Sequence, residues 1–593
     1  MNASIREVTT GDPLDSSSSR FLSRLALFAL VLYGGTFLYL AIRHILYPGF
    51  TEPMEGNILH SIERVAHGLT PYPEPGGEFI AFDYLPLYYV LNAPLYLIFG
   101  DSFVGPRLLS SVCALAAGGL LGLIAWRESK SRAIAFLAAA LYFSGYRIMD
   151  AYLTCALPDS LLLLWLLLGF YFLAYGTKRF HDALWLIFFS LAFWTKQQGA
   201  IYFGFASLYA LFLRKRNEQL TATSKETRHL PRTVIIMGLL LGGPVAYLIV
   251  GHVLGERFSF YTWTLPRRWD HQLLFSVRRT IFVLACYVPF LSLLSVIHFR
   301  QAINLKKKAI TPLAWFTLTS LISAAFTMIS SGASNNHYIP FIAALSVTAA
   351  LGVQSLMKFG APAGLGRWLA GTVVLSAAVT ALAMREYGYG HGLSLIAPVA
   401  AALVLCGYFI VKAGKFADYR LKVSLAALLV LGQFAVAVYY PPDYLPQAGY
   451  KESIARLRAE INKLDGPLIW ADYGNVPAAL TGLKIDRAPS WIALEDVERQ
   501  RQADAEIARD LAPFRERISR AARLYVLTDT PLEEIPGWKS LAGEFVIIRD
   551  YGEEFSSVRQ IVSHWYGDEG YPRFLYGKRE RVQNSEGQAQ TVR

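Results

Sequence analysis

Residues 21–42 read FLSRLALFALVLYGGTFLYLAI, an apolar run long enough to cross the hydrocarbon core of a bilayer as a helix. Its central part Leu25–Ala41 contains no Asp, Glu, Lys or Arg, and neither do other runs such as Leu161–Ala174 and Ala397–Val411. In a soluble protein most of these helices would need a polar face, and they lack one. The pattern predicts a mainly α-helical membrane protein that crosses the bilayer many times.

The composition agrees with this prediction. Of the 593 residues, 54% are hydrophobic and 17% are charged, and the mean hydropathy is +0.34; a soluble protein carries roughly a quarter charged residues. The net charge of +12 does not indicate a nucleic-acid partner, because Lys and Arg stand at the ends of apolar runs, where they orient spans. The 4 cysteines lie in or beside apolar segments without paired spacing, so they predict neither disulfides nor a zinc site.

Basic residues between the apolar runs predict the orientation of the chain. Clusters such as Arg127/Lys130/Arg132 and Lys306–Lys308 should be cytoplasmic under the positive-inside rule. The loops that should then lie outside are 44–83, 147–158, 255–280, 331–338 and 385–392.

Two segments determine the number of spans. Ala183–Leu213 is too long for one span and has Lys196 at its middle, where a lysine would cost about 2.5–3.5 kcal/mol. We therefore predict two short helices that turn on the outer side at Lys196–Gly199. Tyr84–Phe99 is short, rich in tyrosine and interrupted by prolines, which is typical of a juxtamembrane helix along the outer interface. The total is about thirteen spans.

The composition also divides the chain into domains. Residues 1–20 are polar and predict a disordered cytoplasmic tail, whereas 21–440 form the membrane domain, with a large first outer loop at 44–103. In residues 441–577, segments rich in β-formers alternate with helical patterns, which predicts a soluble α/β domain on the outer side. Residues 578–593 predict a second disordered tail.

The first outer loop carries the residues best suited to chemistry. Glu52 and Glu55 directly follow the first span, where the membrane meets water, and a carboxylate there can act as a general base on a hydroxyl group. A structural explanation stays open, because acidic residues also favour the N-terminus of a helix, and one is predicted to begin near Asn57.

This loop and several later segments resemble a known family. The segments are Glu52-Pro53-Met54-Glu55, Gly68-Leu69-Thr70-Pro71-Tyr72, Leu85-Pro86-Leu87-Tyr88-Tyr89, 99–110, 147–162 and 195–199. As a set they resemble the GT-C-fold glycosyltransferases that use polyprenyl-phosphate sugars, especially the bacterial aminoarabinose-to-lipid-A transferases and protein O-mannosyltransferase-like enzymes. The resemblance covers residues 1–215 well and the remainder only in topology.

The resemblance implies a GT-C fold and the inverting transfer of a sugar from a polyprenyl-phosphate donor. The acceptor would be a lipid, a protein or a polysaccharide on the periplasmic side of a bacterial inner membrane. The catalytic aspartate of the lipid-A-modifying branch falls on Met54, so Glu55 is expected to be the base, with Glu52 and Asp159 as alternatives. The family's phosphate-contacting lysine is missing, since its Lys-Pro-Pro motif is here Tyr84-Leu85-Pro86.

Other residues are assigned to the donor and the acceptor. For the donor phosphate or lipid the candidates are Lys196, Arg267, Arg268, His337 and Arg147. For the sugar or the acceptor they are Tyr72, Asp83, Tyr84 and Asn336. Structural explanations stay open for several of them: Lys196 can extend to the interface, Asp159 can be an ordinary first residue of a helix, and the basic and aromatic loop 255–280 can be an interfacial belt.

The sequence contains no Gly-rich nucleotide loop, no zinc-spaced His/Cys set and no nucleophile elbow. We therefore expect catalysis without a cofactor, although Glu55 with Asp159 leaves a divalent metal open. Two other functions also stay open. One is a transporter or flippase of lipid-linked glycans, which would typically show internal repeats and charged residues at mid-membrane. The other is a polymerase or ligase of surface polysaccharide. The expected partners are the lipid donor, its acceptor and membrane lipids.

Overall fold

The structure is a computed structural model. It describes residues 17–74, 80–216, 229–267, 269, 271–305, 310–330, 333–359, 419–471, 475–486, 512–535, 537–561, 570–579, 581–583 and 589–591. Residues 1–16 of the tail predicted at 1–20, the predicted loop 385–392 and Arg268 lie outside these residues, whereas residues 17–20 belong to the first helix.

Helices dominate the membrane domain. In chain order they are α1 (Ser17–Ile45), α2 (Glu55–Ala66), α3 (Leu87–Phe99), α4 (Val104–Ser129), α5 (Arg132–Ser144), α6 (Asp159–Tyr175), α7 (Arg179–Thr195), α8 (Gly199–Leu208), α9 (Arg232–Gly242), α10 (Pro244–Leu254), α11 (Glu256–Ser259), α12 (Leu265–Arg267), α13 (Leu273–Phe282), α14 (Pro289–Leu305), α15 (Pro312–Thr327), α16 (Ile339–Phe359) and α17 (Tyr419–Val436). Short 3₁₀ turns lie at Tyr152–Thr154, Asn335–Tyr338 and Pro441–Tyr444.

Several of these helices can cross a membrane. Among the described residues, 4 helices are long and apolar enough, namely Arg20–Ile45, Val104–Ser129, Arg232–Leu254 and Asn335–Phe359. A fifth span results if the bent pair Leu273–Tyr287 and Pro289–Arg300 is counted as one. Shorter apolar helices include α3, α5, α6 and α15. The polytopic helical architecture is confirmed, and the total of about thirteen spans stays a prediction.

Two local predictions about the helices match the structure. Helix α7 ends at Thr195 and α8 begins at Gly199, so the chain turns at the predicted lysine. Gly199 is required there, because a Cβ atom at this position would collide with the backbone of Ala192 in the preceding helix. A helix, α3, also forms within the predicted segment Tyr84–Phe99, and its place along the membrane interface stays a prediction.

The C-terminal part contains a four-stranded sheet. Its sheet has the strand order β1-β2-β4-β3, in which β1 (Leu468–Trp470) is parallel to β2 (Tyr525–Thr528). Strands β3 (Phe545–Asp550) and β4 (Phe574–Lys578) complete it in antiparallel pairings. The stretch 578–593, for which disorder was predicted, also contains an antiparallel pair, Arg581–Gln583 with Ala589–Thr591.

The α/β domain packs directly on the first outer loop. The Tyr47 hydroxyl donates to the Arg559 carbonyl oxygen at 3.0 Å, and the rings of Phe50 and Trp470 meet edge to face at 6.2 Å. Lys484 forms an ion pair of 3.1 Å with Glu63 of α2. The domain and the loop therefore pack together, and their placement on the outer side of the membrane stays a prediction.

A strained turn precedes α6. Asp150 and Ala151 have φ angles of 47° and 58°, a left-handed conformation that costs a residue with a Cβ atom roughly 1 kcal/mol or more. The turn ends in the segment that approaches the first outer loop, where the backbone N–H of Ala156 donates to Glu55 at 2.7 Å. The strained turn therefore precedes by five residues the backbone N–H group that binds Glu55.

We expect Ala151→Gly to stabilise the protein by roughly 0.5–1 kcal/mol, because glycine adopts the left-handed conformation without steric cost. Thermal unfolding of the purified protein measures the change. The matched control is Ala114→Gly in the middle of α4, which should destabilise by about 1 kcal/mol. Destabilisation by both variants would contradict the claim of strain at Ala151.

Candidate active site

Arg107 organises the chain that leaves the first span. This residue of α4 is 0% exposed. Its guanidinium donates to the carbonyl oxygens of His44 at 2.9 Å, Tyr47 at 2.6 Å and Gly49 at 2.7 Å. These bonds satisfy the carbonyl groups at the end of α1 and fold the following loop back over α4.

Glu55 is the anionic partner of Arg107. The two side chains form a bidentate pair, with Nε to Oε1 at 2.9 Å and Nη2 to Oε2 at 2.5 Å, and both are 0% exposed. Glu55 also accepts from the backbone N–H and the hydroxyl of Thr51, each at 2.7 Å, and from the N–H of Ala156. Burial alone would raise the pKa of Glu55, but the Arg107 charge and these hydrogen bonds hold it below its ordinary value.

Glu52 differs from Glu55 both in its hydrogen bonds and in the direction of its pKa shift. Its Oε2 accepts from the N–H of Met54 at 2.7 Å, whereas Oε1 is buried without a hydrogen-bond partner among the described residues. Burial, and then the neighbouring Glu55 carboxylate, raises the pKa of Glu52 well above its ordinary value. A general base needs a free oxygen and a pKa near the working pH. Of the two carboxylates, Glu52 therefore has the free oxygen and the raised pKa, whereas both oxygens of Glu55 accept from Arg107.

Asp159 and Lys196 form a buried ion pair. Asp159 is the first residue of α6 and Lys196 follows the last residue of α7, and their side chains meet at 2.8 Å. The lysine Nζ also lies 5.2 Å from the centre of the Tyr84 ring. The Oδ2 atom of Asp159 is buried without a partner among the described residues. Electrostatic interaction links this pair to Glu52 as well, so the two groups belong to one site.

Asp83 contributes a third carboxylate. Its backbone carbonyl accepts from Gln197, which also donates to the Thr262 carbonyl at 3.1 Å, so the α7–α8 turn joins two outer loops. Burial raises the pKa of Asp83 to about 6, although Lys196 opposes the shift. Tyr72 donates to the Tyr84 carbonyl oxygen at 2.5 Å and thereby holds the same loop.

The Asn335–Tyr338 turn completes the site. The Gln198 side chain donates to the His337 carbonyl oxygen at 3.2 Å, and His337 interacts electrostatically with Lys196. Asn336 accepts from Ser334 at 3.0 Å. Residues assigned to the sugar from the sequence thus lie on two loops that both contact the α7–α8 turn.

Two predicted phosphate ligands are engaged elsewhere. Arg147 donates to the Val438 carbonyl oxygen at 2.9 Å, close to the end of α17. Arg267 is exposed, with its guanidinium 5.2 Å from the centre of the Trp263 ring. Of the candidate arginines and lysine within the described residues, Lys196 alone forms an ion pair with a carboxylate of this site, Asp159.

Comparison with solved structures places this geometry in a known fold. ArnT from Cupriavidus metallidurans in the apo state superposes with a TM-score of 0.53 and 14% identity, covering 92% of this chain and 97% of that one. ArnT bound to undecaprenyl phosphate gives a TM-score of 0.51 and 13% identity over the same shares. This chain has the GT-C fold. Arabinosyltransferase EmbB from Mycobacterium smegmatis gives a TM-score of 0.45 and 13% identity, covering 70% of this chain and 40% of that one. The sequence matches no protein-family model and no curated protein.

The GT-C fold predicted from the sequence is thus confirmed over nearly the whole chain. At this level of identity the likeness concerns the fold, and the roles of individual residues must be argued from the site itself. Within the part of the chain that the structure describes, no group of three or more His, Cys, Asp or Glu side chains is placed to hold a metal ion. Catalysis without a metal stays a prediction.

Sequence reasoning missed the role of Arg107. A charged residue within an otherwise apolar run was its visible signal, since charges inside membrane helices need a partner. Its partner could not be read from the sequence, because the two side chains are 52 positions apart.

Proposed function

We propose that this protein is a membrane glycosyltransferase that moves a sugar from a polyprenyl-phosphate donor to an acceptor on the outer side of the membrane. The observation that carries the proposal is the convergence of Glu52, Asp83, Asp159 and Lys196 from four segments of a GT-C fold. A carboxylate with a free oxygen can accept the proton of a hydroxyl acceptor, and a buried lysine can stabilise the charge of a phosphate leaving group.

Glu52 acts as the general base in this mechanism. The acceptor oxygen attacks the anomeric carbon while its proton passes to Oε1 of Glu52, the oxygen without a partner in the described residues. The bond from the anomeric carbon to the phosphate oxygen breaks, and its electron pair leaves with the polyprenyl phosphate. Because attack comes from the opposite face, the sugar configuration inverts. Lys196 stabilises the charge on the departing phosphate.

The loop residues bind the sugar and the acceptor. Asp83 has a buried Oδ1 without a partner in the described part of the chain and can accept a bond from a sugar hydroxyl. The hydrogen bond from Tyr72 to the Tyr84 carbonyl oxygen holds that loop, and Asn336 lies on the Asn335–Tyr338 turn. The outer side is the periplasm of a bacterial inner membrane in this proposal, and the acceptor is a lipid, a protein or a polysaccharide.

The proposal is tested with purified full-length protein in lipid nanodiscs. A panel of radiolabelled polyprenyl-phosphate sugars is offered together with fractionated cell-envelope lipids, proteins and polysaccharides. Transfer of label to one class of acceptor supports the proposal and identifies donor and acceptor. Absence of transfer from every donor, combined with movement of lipid-linked sugar across a sealed bilayer, would establish transport instead.

The transfer rate should depend on pH in a defined direction. Glu52 must be ionised to accept a proton, and its pKa lies well above the ordinary value because of burial and Glu55. We therefore expect kcat, measured at saturating donor, to fall as the pH is lowered through that raised pKa, by up to about tenfold per pH unit at the acid end. Initial rates between pH 5 and 9, with protein folding checked at each pH, measure the profile. A rate independent of pH over this range would contradict a carboxylate base with a raised pKa.

A further inference from the structure

Lys196 already has an anionic partner before any donor arrives. Its Nζ lies 2.8 Å from Oδ1 of Asp159, and both side chains are almost completely buried. In the described part of the chain it is the one cation that contacts the carboxylate cluster, which we define as Glu52, Asp83 and Asp159. A phosphate that binds this lysine must therefore compete with Asp159 or share the lysine with it.

The carboxylate cluster has more negative than positive charge even before a phosphate binds. Three buried carboxylate oxygens, Glu52 Oε1, Asp83 Oδ1 and Asp159 Oδ2, have no hydrogen-bond partner among the described residues. Glu52 interacts unfavourably with Asp159, and Lys196 favourably with both Glu52 and Asp83. An added phosphate anion would bring a further negative charge into this buried site, and buried like charges are strongly unfavourable unless one of them is neutralised.

We propose that the donor phosphate displaces Asp159 from Lys196 and that the carboxylate cluster takes up one proton as the donor binds. The inference rests on the proposed function, since it takes the donor to be a polyprenyl phosphodiester. A proton shared within the cluster restores the net charge of the free site and still leaves a carboxylate ionised as the base.

The other polar groups facing the cluster do not remove the need for this proton. Tyr84 is a neutral phenol that interacts with all three carboxylates and with the neighbouring phenol of Tyr152. His337 interacts electrostatically with Lys196, and its Nδ1 is buried without a partner in the described residues. The proton is therefore assigned to the carboxylate cluster as a whole, and the experiment measures how many protons are taken up on binding.

Binding of methyl undecaprenyl phosphate tests the proposal. This phosphodiester carries one charge across the neutral range and has no sugar to transfer. Calorimetric titration of the full-length protein in nanodiscs, in buffers of different ionisation enthalpy, gives both Kd and the number of protons taken up. We expect uptake of about one proton and a Kd that rises by up to about tenfold per pH unit between pH 6 and 8.

The variant Asp159→Asn gives the sharper result. It frees Lys196 and removes one carboxylate, so the phosphodiester should bind about tenfold more tightly at pH 8 with little proton uptake. The matched control is Asp182→Asn, which breaks another buried pair, with Arg214 at 2.6 Å, near the opposite end of α7. This variant should keep the affinity and the proton uptake of the wild type.

Three results would overturn the inference. Wild-type binding that is tight but independent of pH, without proton uptake, would show that no carboxylate is neutralised. Weaker binding by Asp159→Asn would show that Lys196 holds the carboxylate and the phosphate together through its several N–H groups. A wild-type protein that does not bind the phosphodiester at any pH would overturn the proposed function as well.

Discussion

Replacing Arg107 with methionine is expected to destabilise the protein by about 3–5 kcal/mol, the cost of leaving one member of a buried ion pair without its partner. Glu55 would remain in a site with 0% exposure, facing the Thr51 and Ala156 donors but no cation. The carbonyl groups of the loop after α1 would lose their donor at the same time. Transfer activity should fall with stability, because the same loop carries Glu52.

Thermal unfolding in a fixed detergent, together with the yield of monodisperse protein, measures this loss. The double variant Glu55→Met with Arg107→Met should be less damaging than Arg107→Met alone, since it leaves no unpaired charge. Arg257→Met is a suitable control, because its partner Glu74 is largely exposed and such pairs contribute about 0–1 kcal/mol. A stable Arg107→Met protein would show that the pair does not hold the loop.

The architecture could be predicted because it depends on repeated local signals. Apolar runs, flanking basic residues and one lysine within a long apolar stretch were enough to predict a polytopic bundle and the turn between α7 and α8. The change in composition near residue 441 predicted the α/β unit. Each of these features is carried by neighbouring residues, so no long-range contact had to be known.

The roles within the site could not be predicted in the same way. Glu52 and Glu55 are 3 positions apart and chemically identical, and only their partners distinguish them. Arg107 and Ala156 come from distant segments and give Glu55 a structural role, whereas Glu52 keeps a free oxygen. The contacts of Arg147 and Arg267 could not be read from the sequence either. Arg147 binds the Val438 carbonyl oxygen, and Arg267 lies over the Trp263 ring.

The C-terminal domain helps to hold the site in place. Phe50, two residues before Glu52, packs against Trp470, and Glu63 at the other end of α2 pairs with Lys484. The loop that carries Glu52 is therefore held by Arg107 on one side and by the α/β domain on the other. A base that must meet an acceptor hydroxyl at hydrogen-bond distance benefits from such restraint on both sides.

The change Glu52→Gln is expected to lower kcat by about 10²–10⁴-fold, the usual contribution of a positioned general base. Glutamine keeps the size of the side chain and can still accept from the Met54 N–H, so the fold should persist. Binding of methyl undecaprenyl phosphate should not weaken, because one negative charge is removed near Lys196. Single-turnover transfer of radiolabelled sugar measures the chemical step separately from donor binding.

Two further variants give this experiment its controls. Glu74→Gln changes an exposed carboxylate of the same outer loop and should keep kcat within about twofold, as expected for a weak surface pair. Glu55→Gln weakens the pair with Arg107, so we expect mainly a lower melting temperature and yield. If Glu55→Gln instead folds normally and abolishes transfer, while Glu52→Gln keeps it, then Glu55 is the base. The Arg107 pair would in that case have to open during each turnover, because Glu55 has no free oxygen while it is formed.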